Sequence, residues 1–331
     1  METLYRRLLK LMPRVGVQVT DLGPGTAVVS RRGGRVRTPL GPGTDLLSRD
    51  GRYKVTSAAQ DAWIVARDKK GASGGRLRDV PLGDTGARLL VDGAAGTDER
   101  KLQLAAAEYL CHQHVAAMLD FYGVNCVFDV GANTGQYAKR LRRLGYKGRI
   151  VSFEPTAETF ARLAKAAEKD PEWRVYQLGL GSEDTVSSIH VGWKTMNSLL
   201  PPSEYGRDRY QRFATTRTEE IQIRRLDGVM EKALDGIDDP RPFLKMDTQG
   251  YDLEVFAGAG ERIADFVGMQ SEVAVLRLYE GSPEMNDAIA TYEKSGFGIT
   301  GMYPVTREAA TGRVVEFDCV LMRAGAAPAT D

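Results

Sequence analysis

A glycine-rich turn constrains the fold of this chain more than any other feature. The apolar run Val127-Phe-Asp-Val130 leads into Gly131-Ala-Asn-Thr-Gly135, and the next apolar run ends at Glu154. Gly131 permits a tight turn off the first strand, and Gly135 permits a helix to begin close beneath a ligand. This order is typical of an open α/β sheet that binds a nucleotide at the carboxyl ends of its strands.

Strand and helix patterns alternate from this point on, which predicts a doubly wound α/β sheet with helices on both faces. The last two apolar runs flank a turn containing Gly312, and they predict an antiparallel hairpin at the sheet edge. The predicted strands are 124–130, 149–153, 173–178, 243–247, 267–276, 297–303 and 314–322, and the predicted helices are 134–144, 156–169, one from 251, and 283–295.

The chain divides near residue 97. Residues 1–96 are rich in Gly, Pro, Arg and Asp and contain short apolar runs. This pattern predicts a small α+β auxiliary region. We expect the region to act as a cap or to mediate oligomerisation, for example as a homodimer. Within this region, the sequence predicts an amphipathic helix over residues 1–12 and a loop over residues 69–75. Residues 97–331 predict the ligand-binding domain, beginning with a helix capped by Thr97.

Composition disfavours several classes of partner. The 45 Lys and Arg residues nearly balance the 44 Asp and Glu residues, so no overall positive field favours nucleic acid or an anionic membrane surface. No stretch reaches the roughly 18 apolar residues of a membrane span. Three widely spaced cysteines fit a reducing compartment. We therefore expect a cytoplasmic protein with no nucleic-acid or membrane partner.

The residues around the turn predict which nucleotide is bound. Asn133 stands where a dinucleotide fingerprint requires its second glycine, which argues against a pyrophosphate. Glu154, 19 positions after Gly135, stands where a carboxylate meets a ribose diol. Asp129 adds negative charge, which suits a cationic ligand. Together they favour S-adenosylmethionine over NAD.

Other polar residues extend this predicted cofactor site. Thr134 belongs to the turn itself, and Ser182 and Asp184 follow the third strand, where they could reach an adenine amino group. The nearby segment 192–218 mixes aromatic residues, hydroxyls and arginines, and we expect it to form part of an acceptor pocket as a lid or binding loop.

Three segments together resemble the FkbM family of S-adenosylmethionine-dependent methyltransferases, whose fold is of class I. The resemblance implies transfer of a methyl group to a hydroxyl of a sugar or polyketide-type natural product. It places Asp129, Gly131, Asn133, Gly135 and Glu154 on cofactor-binding positions, while Thr248-Gln249 replaces the Val-Glu often found in the family. The segments are Phe128-Asp-Val-Gly-Ala-Asn-Thr-Gly135, Val151-Ser-Phe-Glu-Pro155 and Phe243-Leu-Lys-Met-Asp-Thr-Gln-Gly-Tyr-Asp-Leu-Glu-Val-Phe-Ala-Gly258.

Three residues are catalytic candidates. Asp247 ends a strand and is expected in the crevice, as a base or as a cofactor ligand. Glu272 lies in an apolar strand, where a carboxylate needs a partner; it could be a base, a co-ligand with Asp247 for a divalent ion, or an ion-pair partner of Arg277. His190, on a strand before the acceptor loop, is catalytic or structural.

No metal site is predicted. The cluster Cys111-His-Gln-His114 lies on a helix, where residues i and i+2 do not face each other. A divalent ion at Asp247 and Glu272 remains an alternative.

The leading prediction is an O-methyltransferase for a small hydroxylated metabolite. Alternatives are transfer to a carboxylate or nitrogen of a natural product, and a non-catalytic cofactor-binding scaffold. A dehydrogenase is disfavoured by Asn133 and by the absence of a Tyr-x-x-x-Lys pair near a strand end.

Overall fold

The computed structural model describes the strand backbones between residues 17 and 91 and the chain from residue 99 to 326 except residue 216, with side chains from residue 103 onward. The predicted helix 1–12, the loop 69–75 and the cap at Thr97 lie outside the described residues. The chain divides into two compact units, Met1–Glu99 and Arg100–Asp331. In the described part of the chain, no helix has the length and apolar character that a membrane span requires.

The described strands of the first unit form antiparallel pairs. In the sequence, Pro24-Gly25 and Pro42-Gly43 separate the members of the first two pairs, and such residues favour tight turns. The pairs are β1 (Val17–Gly23) with β2 (Thr26–Arg31), β3 (Val36–Gly41) with β4 (Thr44–Ser48), β5 (Tyr53–Ala59) with β6 (Ala62–Arg67), and β7 (Arg78–Pro81) with β8 (Arg88–Val91).

The second unit alternates strands and helices. In chain order it comprises α1 (Glu99–Phe121), β9 (Cys126–Val130), α2 (Gln136–Arg143), β10 (Arg149–Phe153), α3 (Ala157–Ala167), β11 (Trp173–Tyr176), β12 (Gly179–Gly181), β13 (Thr185–Val191), α4 (Glu204–Arg209), β14 (Arg217–Arg225), α5 (Leu226–Leu234), β15 (Pro242–Met246), α6 (Asp252–Gly258), β16 (Gly268–Ala274), α7 (Met285–Lys294), β17 (Phe297–Arg307) and β18 (Val314–Arg323).

A seven-stranded sheet organises this unit in the order β11-β10-β9-β15-β16-β18-β17. The strands from β11 to β16 pair in parallel, whereas β18 pairs antiparallel with both β16 and β17. The predicted doubly wound sheet with a C-terminal antiparallel hairpin is thus confirmed. Strand order reverses between β9 and β15, and in open α/β sheets such a reversal opens a ligand-binding crevice.

The sheet is buried on both faces, which explains the continuous apolar runs of its strands. Alternate residues point to opposite faces, so Val127 packs in one core cluster with α1 and α2, while Phe128 packs in the other with α5 and α6. Both side chains are fully buried. Each such side chain contributes roughly 1.5–3 kcal/mol of hydrophobic stabilisation, so the central strands hold the site in place.

The segment 192–218, which the sequence predicts as a lid or binding loop, contains short ordered elements. Short 3₁₀ turns and α4 order it, and Trp193 and Phe213 are buried in a small core of their own with Tyr279. The Trp193 indole N–H donates to the carbonyl oxygen of Thr215 at 2.8 Å and closes the segment on itself. We call residues 193–215 the cap segment.

The unit also contains a second, three-stranded sheet with the order β12-β14-β13, which the sequence analysis does not predict. Its longer strands are largely exposed and polar on one side, so they lack the apolar runs of the central strands. The predicted strand through His190 belongs to this sheet as β13.

Gly258 provides a test of the packing between α6 and β12. A Cβ atom at Gly258 would lie 2.0 Å from the carbonyl oxygen of Gly181, whereas one at Gly228, within α5, would meet no atom within 4 Å. We expect Gly258→Ala to lower the free energy of unfolding by about 1–3 kcal/mol. Gly228→Ala should be neutral or stabilise by up to about 1 kcal/mol. Thermal denaturation of both variants checks this, and a Gly258→Ala protein as stable as the wild type would contradict it.

Candidate functional site

A cavity of about 280 Å³ opens where the strand order reverses. Its walls come from the turn after β9, the end of β10, the residues after β15, and the cap segment. The cap segment contributes Lys194, Thr195, Asn197 and Leu199, so the expected loop beside the pocket is present as an ordered wall.

The turn after β9 contains three left-handed residues, Gly131, Asn133 and Gly135. Gly131 has φ +75°, and a Cβ atom there would lie 2.0 Å from the carbonyl oxygen of Asp247, so only glycine permits this approach. Asn133 has φ +49°, a conformation that asparagine tolerates better than most residues. Its backbone N–H donates to Glu154 at 3.1 Å, and its side-chain oxygen accepts from the backbone N–H of Thr134 at 2.8 Å.

Glu154 is a buried carboxylate in the cavity wall. One of its oxygens accepts from the Thr156 backbone N–H at 3.0 Å and from its hydroxyl at 2.5 Å. Burial raises the pKa of Glu154, while the hydrogen bonds from Thr156 and Asn133 oppose that rise. The carboxylate is therefore held in one orientation and can accept hydrogen bonds from a ligand's hydroxyl groups.

Asp129 lies beneath the cavity and not in its wall. It is fully buried, accepts from the Ser152 hydroxyl at 3.0 Å, and pairs with the Lys245 ammonium at 3.1 Å. Its charge is thus neutralised by a residue of the protein, which corrects the expectation that it faces a cationic ligand. Lys245 itself lines the cavity.

The sequence did not identify Lys245 as a site residue, although it lies two residues before Asp247 and so on the same face of the sheet. Its ammonium is also 3.5 Å from Asp247. Burial alone would lower the pKa of Lys245, but attraction to Asp129 and Asp247 outweighs burial and raises it. The lysine remains a cation.

Asp247 and Glu272 are joined by one amide group. The side-chain nitrogen of Gln249 donates to Asp247 at 2.9 Å and to Glu272 at 3.1 Å, and its oxygen lies 2.8 Å from the Tyr279 hydroxyl. Asp247 is 44% exposed and lines the cavity. Arg277 pairs instead with Glu284, at 3.9 Å, so the predicted ion pair between Arg277 and Glu272 is absent.

Further carboxylates lie beside Glu272. Asp318 is its direct partner in the register of β16 and β18, and Glu316 lies two residues from Asp318 on the same face. Burial, followed by repulsion from neighbouring carboxylates, raises the pKa of Glu272 and of Glu316, and it raises the pKa of Asp318 to about 6. We call Glu272, Glu316 and Asp318 the acid row. Across the described residues, no group of three or more His, Cys, Asp or Glu side chains could hold a metal ion.

Besides Asp129, four predicted cofactor residues are not in the cavity wall: Thr134, Gly135, Ser182 and Asp184. Gly135 instead permits close packing, since a Cβ atom there would lie 2.5 Å from the Trp173 ring. Asp184 accepts a hydrogen bond from the last backbone N–H of β14 at 2.7 Å. Near Ser182 and Asp184, the cavity wall is formed by the residues that precede them, Leu178 to Leu180.

His190 is also outside the cavity wall, which its strand neighbour Ile189 does line. Its ring stacks on Trp193, with 5.3 Å between ring centroids. In the helix cluster, His114 contacts the hydroxyls of Tyr303 at 2.8 Å and Thr300 at 3.0 Å. His112 lines the cavity, and burial together with repulsion from nearby arginines lowers its pKa to about 4.

The fold is that of a class I, Rossmann-like methyltransferase. Its features are this strand order, the glycine turn at the point where the order reverses, and the buried carboxylate after the next strand. The family model of the methyltransferase FkbM domain matches residues 129–298, slightly more than half of the 331-residue chain. The chain belongs to the FkbM methyltransferase family.

One curated relative is the 2-O-methyltransferase NoeI of Sinorhizobium fredii (strain NBRC 101917 / NGR234), which is 25% identical over 164 residues. The match covers 47% of this chain and 65% of NoeI. Among solved structures, Aeropyrum pernix fibrillarin with bound S-adenosyl-L-methionine is similar at 12% identity and a TM-score of 0.35, covering 63% of this chain and 74% of fibrillarin. Magnesium protoporphyrin IX methyltransferase from Synechocystis PCC 6803 is similar at 11% identity and a TM-score of 0.37. This match covers 69% of this chain and 85% of the Synechocystis protein.

The raised pKa of Glu316 predicts a pH-dependent stability. A carboxyl whose pKa is higher in the folded than in the unfolded state stabilises the fold below the unfolded pKa, and this stability is lost as the pH rises toward the folded pKa. We expect Glu316→Gln, which cannot ionise, to raise the free energy of unfolding by about 1 kcal/mol or more near pH 9, and by much less near pH 5. Glu168→Gln, an exposed control on the end of α3, should show no such pH dependence. Equal effects of Glu316→Gln at both pH values would contradict the raised pKa.

Proposed function

We propose that this protein is an S-adenosylmethionine-dependent O-methyltransferase that acts on a hydroxyl of a small acceptor, a sugar or polyketide-type natural product. The supporting observation is the convergence of the glycine turn, Glu154 and Asp247 on one cavity. Membership of the FkbM family and the similarity to a 2-O-methyltransferase support the same reaction.

The residues of the cavity fit this cofactor. Glu154 would accept hydrogen bonds from the ribose hydroxyls, and Leu178 and Leu180 would contact the adenine ring. The backbone of the turn at Gly131, which lies close to the carbonyl oxygen of Asp247, would hold the methionine end. When bound, S-adenosylmethionine would supply a methyl group on a sulfonium sulfur, and the neutral thioether S-adenosylhomocysteine would be the leaving group.

Asp247 is the proposed base. Its carboxylate is exposed to the cavity, and its hydrogen bond from Gln249 and its ion pair with Lys245 fix its orientation. A carboxylate positioned in this way can accept the proton of an acceptor hydroxyl as the oxygen attacks carbon. Glu272, reached only through Gln249, would act as a positioning residue, and we assign no step to His190.

Cofactor binding tests the first part of the proposal. We expect wild-type protein to bind S-adenosylhomocysteine in calorimetry, and Glu154→Gln to weaken this binding by about tenfold or more, because the ribose diol loses its charged acceptor. Glu168→Gln is the matched control, with the same change at an exposed position. No binding by the wild-type protein would rule out the proposed function.

Turnover tests the role of Asp247. With an acceptor identified by screening hydroxylated compounds against methyl-labelled cofactor, Asp247→Ala should lower kcat by about 10²–10⁴ through loss of the base. S-adenosylhomocysteine affinity and the circular dichroism spectrum should stay close to wild type if Asp247 is a base; a parallel loss of affinity would assign it to cofactor binding. Unchanged turnover would refute both roles. Alkali-labile product would indicate a carboxylate acceptor.

A further inference from the structure

We propose that the acid row binds a protonated amine of the acceptor, so that the substrate is a hydroxylated compound that also carries an ammonium group. This inference rests on the proposed function and specifies its substrate class. The row begins at Asp318 in the cavity wall and continues through Glu272 to Glu316.

The sheet places these carboxylates beyond the cofactor end of the cavity. Neighbouring strands are about 4.8 Å apart, so β18, which carries Asp318, lies about 10 Å from β15, which leads to Asp247. A cofactor held between Glu154 and Asp247 would place its own positive charge near Asp247. The acid row is therefore left for a different cation.

Glu316 is the member of the acid row without a hydrogen-bond donor among the described residues. It is only 9% exposed, yet no described residue donates a hydrogen bond to its carboxyl group or forms an ion pair with it. Glu154, by comparison, is equally buried and accepts three hydrogen bonds. The strand register places Glu316 on the same face of the sheet as Asp318 and Glu272, and the carboxyl groups of Glu316 and Glu272 repel each other. A buried carboxylate without a partner is costly unless a cation compensates it.

The protein does not supply that cation from the basic side chains nearby. Lys245 is already held between Asp129 and Asp247. Arg209 attracts Glu316 and opposes the rise in its pKa, but it forms no ion pair with Glu316 and donates its hydrogen bonds to the Thr306 hydroxyl and the carbonyl oxygen of Arg307. In the part of the chain that the structure describes, no Lys, Arg or His forms an ion pair with any member of the row.

An ammonium group bound here would satisfy these carboxylates and favour their ionised forms. Because burial and mutual repulsion raise the pKa values of Glu272 and Glu316, amine binding should release protons from these two residues at neutral pH. A neutral polyol bound by protonated carboxyls would release none.

The test is calorimetric titration of the full-length protein saturated with S-adenosylhomocysteine. The probes are methyl glycosides of amino sugars and simple aminocyclitols, each paired with its N-acetylated form. We expect the free amines to bind about tenfold more tightly or better. Titration in two buffers of different protonation enthalpy should show proton release for the amines alone.

Matched variants localise the effect. Asp318→Asn and Glu316→Gln should each lose most of the preference for the free amine, while Glu168→Gln keeps it. Wild-type affinity of the variants for S-adenosylhomocysteine would show that they are folded. Equal or tighter binding of the N-acetylated forms, or binding by no compound of the panel, would overturn this inference and leave the proposed function standing. Failure to bind S-adenosylhomocysteine would instead refute the proposed function itself.

Discussion

The ion pairs of Lys245 hold the centre of this site together. Its ammonium joins Asp129 at the end of β9 to Asp247 after β15, across the point where the strand order reverses. Buried ion pairs add little net stability, but removing one partner leaves an uncompensated charge and typically costs about 3–5 kcal/mol. Asp129 therefore matters without touching the cavity, because it fixes the lysine that in turn orients Asp247.

This constraint separates the cavity into two chemically different halves. On one side of the reversal, backbone and a single carboxylate dominate: the turn at Gly131 and Asn133 is tied to Glu154, which is tied to Thr156. On the other side, several carboxylates are crowded on β16 and β18. The first half has the rigid, satisfied hydrogen bonding that suits one invariant cofactor, whereas in the second half burial and mutual repulsion raise the pKa values of Glu272 and Glu316 and so disfavour their ionised forms.

The central sheet could be predicted because its strands are buried on both faces and so read as continuous apolar runs. The turn and Glu154 could be predicted because they depend on local spacing alone. The sheet of β12 to β14 could not, since exposed strands such as β13 carry polar residues on one side. Asp318 and Glu316 could not be placed either, because the register of β16 with β18 joins residues more than forty positions apart.

Gln249 links the two halves of the cavity. Its backbone is left-handed, with φ +55°, and one amide nitrogen donates both to Asp247 and to Glu272. A glutamate at this position, as the family often has, would offer no such donor and would add another negative charge to carboxylates that already repel each other. The amide therefore allows Asp247 to stay oriented beside the acid row. Because repulsion within this group depends on how many members are ionised, a cation that relieves the row also changes the field at Asp247. Under the proposed roles, recognition of the acceptor and removal of its proton would be coupled through the same few carboxylates.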